Sequence, residues 1–395
     1  MNARIIRTPL LLLALCLCGL AANVSGRTIE PLVTILSAEF SIGVATAALL
    51  VSAYSLPFAL GQPLLGPLGD IFGKAIMLRI SLWVLTACLL LATFSPNYET
   101  LLMLRFCAGL AAGGTVPACM ATIGDTYPPA QRQLAISRFV TMSLLAQIFA
   151  ASAAGALAEH TSWRVVVGGS AIFALVGAFA ATFLIRTQPM ETQQSYSIAL
   201  AASGYRSVFR NPRAPLCYLT VFLEGVFFYG ILPYIAEILS ARAQGGATEA
   251  GLIIGAVGIG GLTYIIFVRR LLQKFSRPQF MAVGGTIMTC GPLALALGLS
   301  WQVNAVAFAF TGFGFMLLHN SIQTEVVEIA PLARQSAYSL HAFSFFTGQA
   351  LGPIAFGLTL RVLGVHAAAA IFASILALTG ILAAIFFSRL NQQQI

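Results

Sequence analysis

The sequence predicts an all-α polytopic membrane protein with twelve transmembrane helices, arranged as two pseudo-symmetric bundles of six. The first observation is the composition: of 395 residues, 58% are hydrophobic and only 8% are charged. Soluble domains carry about 25% charged residues, so a water-soluble globule is excluded. The second observation is a series of apolar runs near the ~20 residues that a helix needs to cross a bilayer. The third is the uneven distribution of basic residues between successive loops.

The apolar runs, taken in order, predict twelve helices joined by short loops, which leaves no room for a sizeable soluble domain. The basic start and apolar run of residues 1–26 also resemble a signal peptide. Because the apolar pattern continues past Arg27, we expect a retained first helix instead. The predicted spans are residues 8–36, 43–65, 75–94, 99–122, 134–158, 164–186, 214–239, 248–269, 279–300, 302–325, 336–361 and 365–388.

The basic residues predict the orientation of these helices. With the N-terminus in the cytoplasm, 16 of the 21 lysine and arginine residues fall in cytoplasmic segments and 3 fall in outer loops. The positive-inside rule therefore predicts a multi-pass protein with both termini in the cytoplasm. The net charge of +9 is explained by these loops, and no nucleic-acid partner is expected.

A weak internal repeat divides the chain into two halves, residues 1–186 and 214–395, joined by a cytoplasmic linker at 187–213. The halves match at an offset near 202 residues, which indicates duplication. Transporters commonly place the substrate site between such repeats, near the membrane midplane. The matched pairs are Asp125 with Glu328, Pro128 with Pro331, Arg132 with Arg334, and Gln147 with Gln349.

Residues 66–74, between the second and third predicted helices, read GPLGDIFGK. A glycine, an acid four residues later and a glycine–lysine pair at this place in a twelve-helix chain resemble the signature of the major facilitator superfamily. Leu104-Arg105 resembles a helix-four motif of its twelve-helix, proton-coupled drug and sugar efflux permeases. Those permeases normally carry Gly-Pro on helix five, where this chain has Ala150-Ala151.

The resemblance implies a charge relay at the cytoplasmic ends of helices two to four, which stabilises the outward-facing state. Glycines permit a tight turn there, and Lys74 or Arg79 is expected to pair with Asp125. The alternative is that these basic residues only determine topology. The residues of the expected relay are Gly66, Asp70, Gly73, Lys74, Arg79 and Asp125.

Ionisable side chains within the apolar spans are functional candidates, because a charge at the bilayer centre costs about 2.5–3.5 kcal/mol on insertion scales. They fall on the first, fourth, seventh and tenth helices, which the resemblance places around a central cavity. The candidate proton-coupling and substrate-binding residues are Arg27, Glu30, Arg105, Glu224, His319, Asn320 and Gln323.

Glu224 is the first candidate for carrying a proton or contacting the substrate, since an ionised carboxylate is unfavourable among the aromatic residues that surround it in the sequence. Glu30 is the second. Arg27 and Glu30 are three residues apart and therefore share a helical face. They form either a self-neutralising pair that makes insertion tolerable or a cavity pair whose partners exchange when substrate binds.

Arg105 does not lose its proton in proteins, so its expected role is to neutralise a carboxylate or to hold an anionic group of the substrate. His319 has two interpretations as well. It either takes part in proton or substrate binding, or it is a packing group that is hydrogen-bonded to Asn320 or Gln323.

The sequence shows no phosphate-binding loop, no nucleophile motif and no metal-ligand spacing, so we expect neither an enzyme nor a cofactor or metal site. The hypothesis is a monomeric secondary active transporter of a bacterial inner membrane, with small-molecule substrate, proton and lipid bilayer as partners. It performs proton-coupled efflux of a small amphiphilic organic solute, a drug or a sugar-like metabolite, by alternating access. One alternative is uptake or exchange of a small organic anion held by Arg27 and Arg105. Another is a membrane sensor that does not transport.

Overall fold

The structure, a computed structural model, describes residues 7–185, 198–329 and 333–392. Within these ranges the chain is helical apart from short turns, and it contains no β-strand. The membrane helices are numbered α1–α12 in chain order. The first six are α1 (Arg7–Arg27, continued by Val33–Glu39), α2 (Val44–Phe72), α3 (Lys74–Thr93), α4 (Tyr98–Gly113, continued by Thr115–Thr126), α5 (Pro129–His160) and α6 (Trp163–Phe183).

The second half repeats this order after a short helix, Ile198–Phe209. Its last two membrane helices form one helical stretch that is interrupted at Gly364, where φ is +75°. The helices are α7 (Ala214–Tyr229, continued by Ile235–Ala241), α8 (Ala247–Leu272), α9 (Arg277–Ile287, continued by Cys290–Ala296), α10 (Trp301–Ile329), α11 (residues 334–363) and α12 (residues 365–392).

The predicted all-α membrane fold is confirmed. Eleven helical stretches in the described ranges are long and apolar enough to cross a membrane, by length and composition. The last of them, Ser336–Arg389, is 54 residues long, which is enough for two crossings. Of the predicted linker, residues 187–197 lie outside the described ranges, so the division into residues 1–186 and 214–395 stays a prediction.

Helices α1 and α7 are interrupted at equivalent positions. A 3-10 turn, Glu30–Leu32, separates the two parts of α1, and another, Leu232–Tyr234, separates those of α7. The turns are 202 residues apart, which matches the repeat, and they contact each other across the halves. Each contains a proline, Pro31 or Pro233, which lacks the backbone N–H that a continuous helix requires.

Close helix contacts hold the two halves together on the side of these turns. Ser152 Oγ on α5 donates to the carbonyl oxygen of Gly251 on α8 at 3.3 Å. A Cβ atom on Gly155 would lie only 2.1 Å from the carbonyl oxygen of Ala247. The backbones of α5 and α8 therefore approach each other as closely as small residues allow.

Helix α11 packs against α7 in the same manner. A Cβ atom on Gly225 would lie 2.3 Å from the carbonyl oxygen of Phe345, and one on Gly348 would lie 2.2 Å from that of Phe222. Because these glycines carry no side chain, α11 lies directly over one side of α7.

Gly364 tests how the turn between α11 and α12 depends on glycine. Its φ of +75° and ψ of 171° are rarely adopted by residues with a side chain, and nothing lies within 4 Å of the position of an added Cβ atom. We therefore expect Gly364→Ala to lower the free energy of unfolding by about 1–3 kcal/mol through backbone strain alone. Circular dichroism during SDS titration of the purified protein measures this loss.

Gly169→Ala is the matched control, because Gly169 has equally open surroundings but lies inside the helix α6. We expect it not to lower the free energy of unfolding, since alanine is a better helix former than glycine. An equal loss in both variants would contradict the explanation by strain.

Candidate functional site

A cavity of about 890 Å³ lies between the two halves. On α11 its wall extends from Arg334 to Gln349, a separation of fifteen residues that corresponds to about 22 Å of helix. On α5 it extends from Arg132 to Gln147, which is the same number of residues. The end with the two arginines is termed the mouth, and the end with the two glutamines is termed the inner end.

The cavity wall is asymmetric. The first half contributes α1, α2, α4 and α5 and the start of α3, whereas the second half contributes α10 and α11, with eight of its ten wall residues on α11. No described wall residue lies on α7, although the resemblance places that helix around the cavity. The reason is the glycine contact at Gly225, through which α11 covers α7.

Arg27 lies in the wall at the inner end, where the first part of α1 ends. Its Nη1 donates to Glu30 Oε1 at 2.6 Å, and its Nε donates to Gln147 Oε1 at 3.2 Å. Its guanidinium carbon lies 4.3 Å from the ring centroid of Tyr229, the residue of α7 that the 202-residue offset pairs with Arg27. Arg27 therefore contacts both halves. Glu30 is buried, and its Oε2 has no hydrogen-bond partner among the described residues.

Glu224 on α7 is fully buried and is joined to the cavity wall through His319. Glu224 Oε2 lies 2.7 Å from His319 Nδ1, while Oε1 has no hydrogen-bond partner in the described part of the chain. The ring of His319 lies 4.9 Å from that of His341, which is also in the wall. The arrangement is a sealed carboxyl group with one imidazole between it and the cavity.

Arg105 lies outside the described cavity wall and is 2% exposed. Its Nη1 donates to the carbonyl oxygen of Ser25 at 2.8 Å, and its Nε donates to that of Leu50 at 3.3 Å. Its guanidinium carbon lies 4.3 Å from the ring centroid of Tyr54. These contacts join α4 to α1 and α2. They do not place Arg105 beside Arg27 as the second arm of an anion site.

The two remaining candidates on α10, Gln323 and Asn320, lie in different surroundings. Gln323 lies in the wall, with its Nε2 3.5 Å from Tyr338 Oη. Asn320 is not among the wall residues that are described, and its Nδ2 donates to the carbonyl oxygen of Met316 at 2.9 Å. The candidates that line the cavity, or are bonded to a residue that does, are Arg27, Glu30, Glu224, His319 and Gln323.

An ion pair lies at the mouth. Lys74 Nζ is 2.5 Å from Asp125 Oδ2, and both residues line the cavity. Gly73, with φ +91°, forms the turn between α2 and α3. Gly66 and Asp70 belong to α2, but their side chains lie outside the described residues, so their part in the relay stays a prediction.

Arg79 binds the end of α6 and not Asp125. Its Nε and Nη2 donate to the carbonyl oxygens of Ala181 and Ile185 at 3.1 and 2.6 Å. These carbonyls belong to the C-terminal end of α6, where a helix leaves its last carbonyl groups without partners of its own. Of the two bases expected near Asp125, Lys74 is therefore the one that pairs with it.

The second half has a comparable ion pair. Arg277 at the start of α9 binds both carboxylate oxygens of Glu328 at 2.8 and 2.9 Å, and binds Glu325 at 3.1 Å. Glu328 is the residue that the repeat pairs with Asp125. The Arg277 guanidinium holds the pKa of the Glu328 carboxyl below its ordinary value. Each half thus has a base and an acid joining its third and fourth helices.

Sequence reasoning missed most of the uncharged side chains of the site. Tyr54 and Tyr229 stack on arginines, and neither was distinguishable in the sequence from the other aromatic residues of the spans. Gln147 and Gln349 were noticed only as evidence of duplication. The occurrence of glutamine at both matched positions of the repeat was the signal that could have identified them as site residues.

Arg105 offers a test of a structural role. Arg105→Met removes two charge-assisted hydrogen bonds to buried carbonyl oxygens, and bonds of this kind are worth about 1.5–3 kcal/mol each. We expect a lower midpoint of thermal unfolding in detergent without any ligand. Arg361→Met, at an exposed position on α11, is the control and should leave the midpoint unchanged. An unchanged midpoint in Arg105→Met would show that these bonds do not stabilise the fold.

The chain was compared with known families and structures. Residues 13–339 and 217–394 match the family model described as Major Facilitator Superfamily. Among curated proteins, the chain is 22% identical to the MFS-type transporter YybF of Bacillus subtilis, covering 82% of this chain and 80% of that protein. It is 28% identical to the MFS-type transporter YwfA of the same organism, covering 73% and 71%.

Solved structures agree on the fold. The nucleoside transporter NupG superposes with a TM-score of 0.79 at 14% identity, covering 95% of this chain and 99% of that one. A bacterial homolog of the human lysosomal transporter Spinster gives a TM-score of 0.61 at 18% identity, covering 95% and 94%. The chain therefore belongs to the Major Facilitator Superfamily and is a multi-pass secondary transporter.

Proposed function

We propose that the chain exports a small amphiphilic organic solute, such as a drug or a sugar-like metabolite, in exchange for protons. The two halves rock around the cavity, so that the solute and the proton reach the same site from opposite sides of the membrane. The observation that carries this proposal is the sealed carboxyl group of Glu224, which is linked to the cavity through His319.

Glu224 and His319 suit a proton that is bound and released once per cycle. An ionised carboxylate in a fully buried position is unfavourable unless a partner compensates its charge. With Glu224 ionised, His319 Nδ1 is the hydrogen-bond partner of its carboxylate at 2.7 Å. A proton taken up by Glu224 neutralises the carboxylate and removes the need for that partner. Proton binding therefore changes what holds α7 to α10.

Arg27 links this chemistry to the relative position of the halves. It is bonded to Glu30 on its own helix, and it contacts Gln147 on α5 and Tyr229 on α7. A rocking movement that separates α1 from α7 breaks the contact with Tyr229. The free energy of the arrangement that is open at the mouth therefore depends on the contacts of Arg27 at the inner end of the cavity.

The cavity wall supports an amphiphilic substrate. Phe58, Phe139 and Phe346 line it together with amide and hydroxyl side chains, a combination typical of pockets for small organic molecules. Uptake or exchange of an anion held by two arginines is less well supported, because Arg105 lies outside the described wall. A sensor that does not transport is the alternative from another class, and accumulation against a gradient separates it from a transporter.

Export is proposed together with an orientation based on the positive-inside rule, in which the mouth, with Arg132 and Arg334, faces the cytoplasm. A cavity that is open on this side gives the solute the access from inside the cell that export requires. The setting is a bacterial inner membrane, with both termini in the cytoplasm and the monomer as the working unit. The relatives in Bacillus subtilis support the bacterial setting.

Glu224→Gln tests proton coupling. Proteoliposomes with an imposed pH gradient are assayed with radiolabelled chloramphenicol, a small amphiphilic drug, as the first of a panel. We expect gradient-driven transport to fall to the level of protein-free liposomes, because the amide cannot bind and release a proton, while exchange of labelled for unlabelled drug continues. Glu99→Gln, an exposed acid on α4, is the control. Normal gradient-driven transport by Glu224→Gln would contradict the proposal.

The ion pair at the mouth gives a second test. An exposed pair is worth only about 0.2–1 kcal/mol of stability, so reversing one charge should leave unfolding nearly unchanged. If the pair acts as a gate, Lys74→Asp or Asp125→Lys alone should slow transport severalfold, and the double exchange should restore much of the rate. A double variant as slow as the singles would mean that Lys74 and Asp125 do not act on each other.

A further inference from the structure

Two glutamines at equivalent positions frame the inner end of the cavity. Gln147 and Gln349 are 202 residues apart, and both lie in the wall. The same offset relates Arg132 and Arg334 at the mouth. The inner end therefore presents one side-chain amide from each half.

The two amides differ in their hydrogen bonds. Gln147 accepts from Arg27 at 3.2 Å and donates to the carbonyl oxygen of Ser143 at 3.4 Å. Gln349 is 5% exposed, and its Oε1 has no hydrogen-bond partner among the described residues. A buried acceptor without a partner is rare and calls for an explanation. The terminal amide torsion is soft, so a small rotation presents this oxygen to a molecule in the cavity.

Aromatic rings lie beside this free acceptor. Phe345 and Phe346 precede Gln349 by four and three residues, so the three side chains share one face of α11. Phe346 in turn contacts Phe58 of the first half, with ring centroids 4.5 Å apart. The rings of Phe345 and Phe346 are inclined at 71° to each other, with centroids 5.1 Å apart, so this face offers an apolar corner next to a hydrogen-bond acceptor.

The charged side chains of the cavity disfavour cations at the mouth and offer no free charge to an anion at the inner end. At the inner end, Arg27 is paired with Glu30, and His319 is paired with Glu224, so neither offers an uncompensated charge to an anion. At the mouth, Arg132 and Arg334 line the path and disfavour the entry of cations.

We propose that Gln349 is a specificity-determining residue, and that the inner end binds an uncharged, planar heteroaromatic compound. A ring N–H of the compound donates to Gln349 Oε1, and its plane packs on the ring of Phe346, which is only half-buried. This inference rests on the proposed function only in taking the cavity as the substrate site. It narrows the amphiphilic solute to a chemical class.

Three fluorescent probes of similar three-ring size test the charge and shape requirement. Lumichrome is neutral and carries ring N–H donors, N-methylacridinium is a cation, and anthracene-2-carboxylate is an anion. Fluorescence titration of the purified full-length protein in detergent, at mildly acidic pH, gives the dissociation constants. We expect lumichrome to bind at least about tenfold more tightly than either ion, a difference of ~1.4 kcal/mol.

The hydrogen bond is tested from both sides. Gln349→Leu should weaken lumichrome binding about tenfold, whereas Gln302→Leu, at an exposed position on α10, should not change it. Methylation of the lumichrome ring nitrogens should weaken binding to the unaltered protein by a similar factor. The second experiment needs no protein variant and therefore does not depend on whether Gln349→Leu folds.

Tighter binding of either ion, binding of none of the probes, or equal binding of lumichrome and its methylated form would overturn this inference. These measurements are made at equilibrium without a pH gradient. Their failure would leave proton exchange through Glu224 standing, and loss of proton coupling would leave the binding result standing.

Discussion

Compensation of charge inside the membrane is the constraint on which the rest of the structure depends. Glu30 is paired with Arg27, Glu224 with His319, and Arg105 with two backbone carbonyl groups. Each ionisable group would be strongly unfavourable alone in an apolar bundle. Because most of these partners lie on different helices, satisfying the charges also determines how α1, α4, α7 and α10 are placed relative to one another. Stability and the proposed function therefore depend on the same few side chains.

The fold was predictable because length and hydropathy suffice to recognise a membrane helix, and all twelve predicted spans correspond to helices. The site was predictable only in part. Arg27 and Glu224 stood out because a buried charge needs an explanation. Tyr229 and Gln349 did not, since neutral side chains are common in such helices. That α11 rather than α7 lines the cavity depends on the contact at Gly225, which is tertiary packing that no local pattern encodes.

The two halves have identical side chains at some matched positions of the cavity and different ones at others. The arginines of the mouth, Arg132 and Arg334, are identical in both halves, and so are the glutamines of the inner end. Arg27 departs from this symmetry, since its counterpart is Tyr229 and its guanidinium carbon lies 4.3 Å from the centroid of that ring. Two arginines at these positions would repel each other. A tyrosine at one of them instead gives a cation–π contact across the interface.

The interruptions of α1 and α7 have a mechanical consequence. Beyond each proline-containing turn, only the seven residues Val33–Glu39 or Ile235–Ala241 continue outward, about 10 Å of helix. Because a proline-containing turn lacks a helical hydrogen bond, each short segment is not rigidly continuous with the long segment that carries Arg27 or Glu224. The two turns also contact each other. The ends of the two bundles therefore meet at the places where α1 and α7 bend most easily.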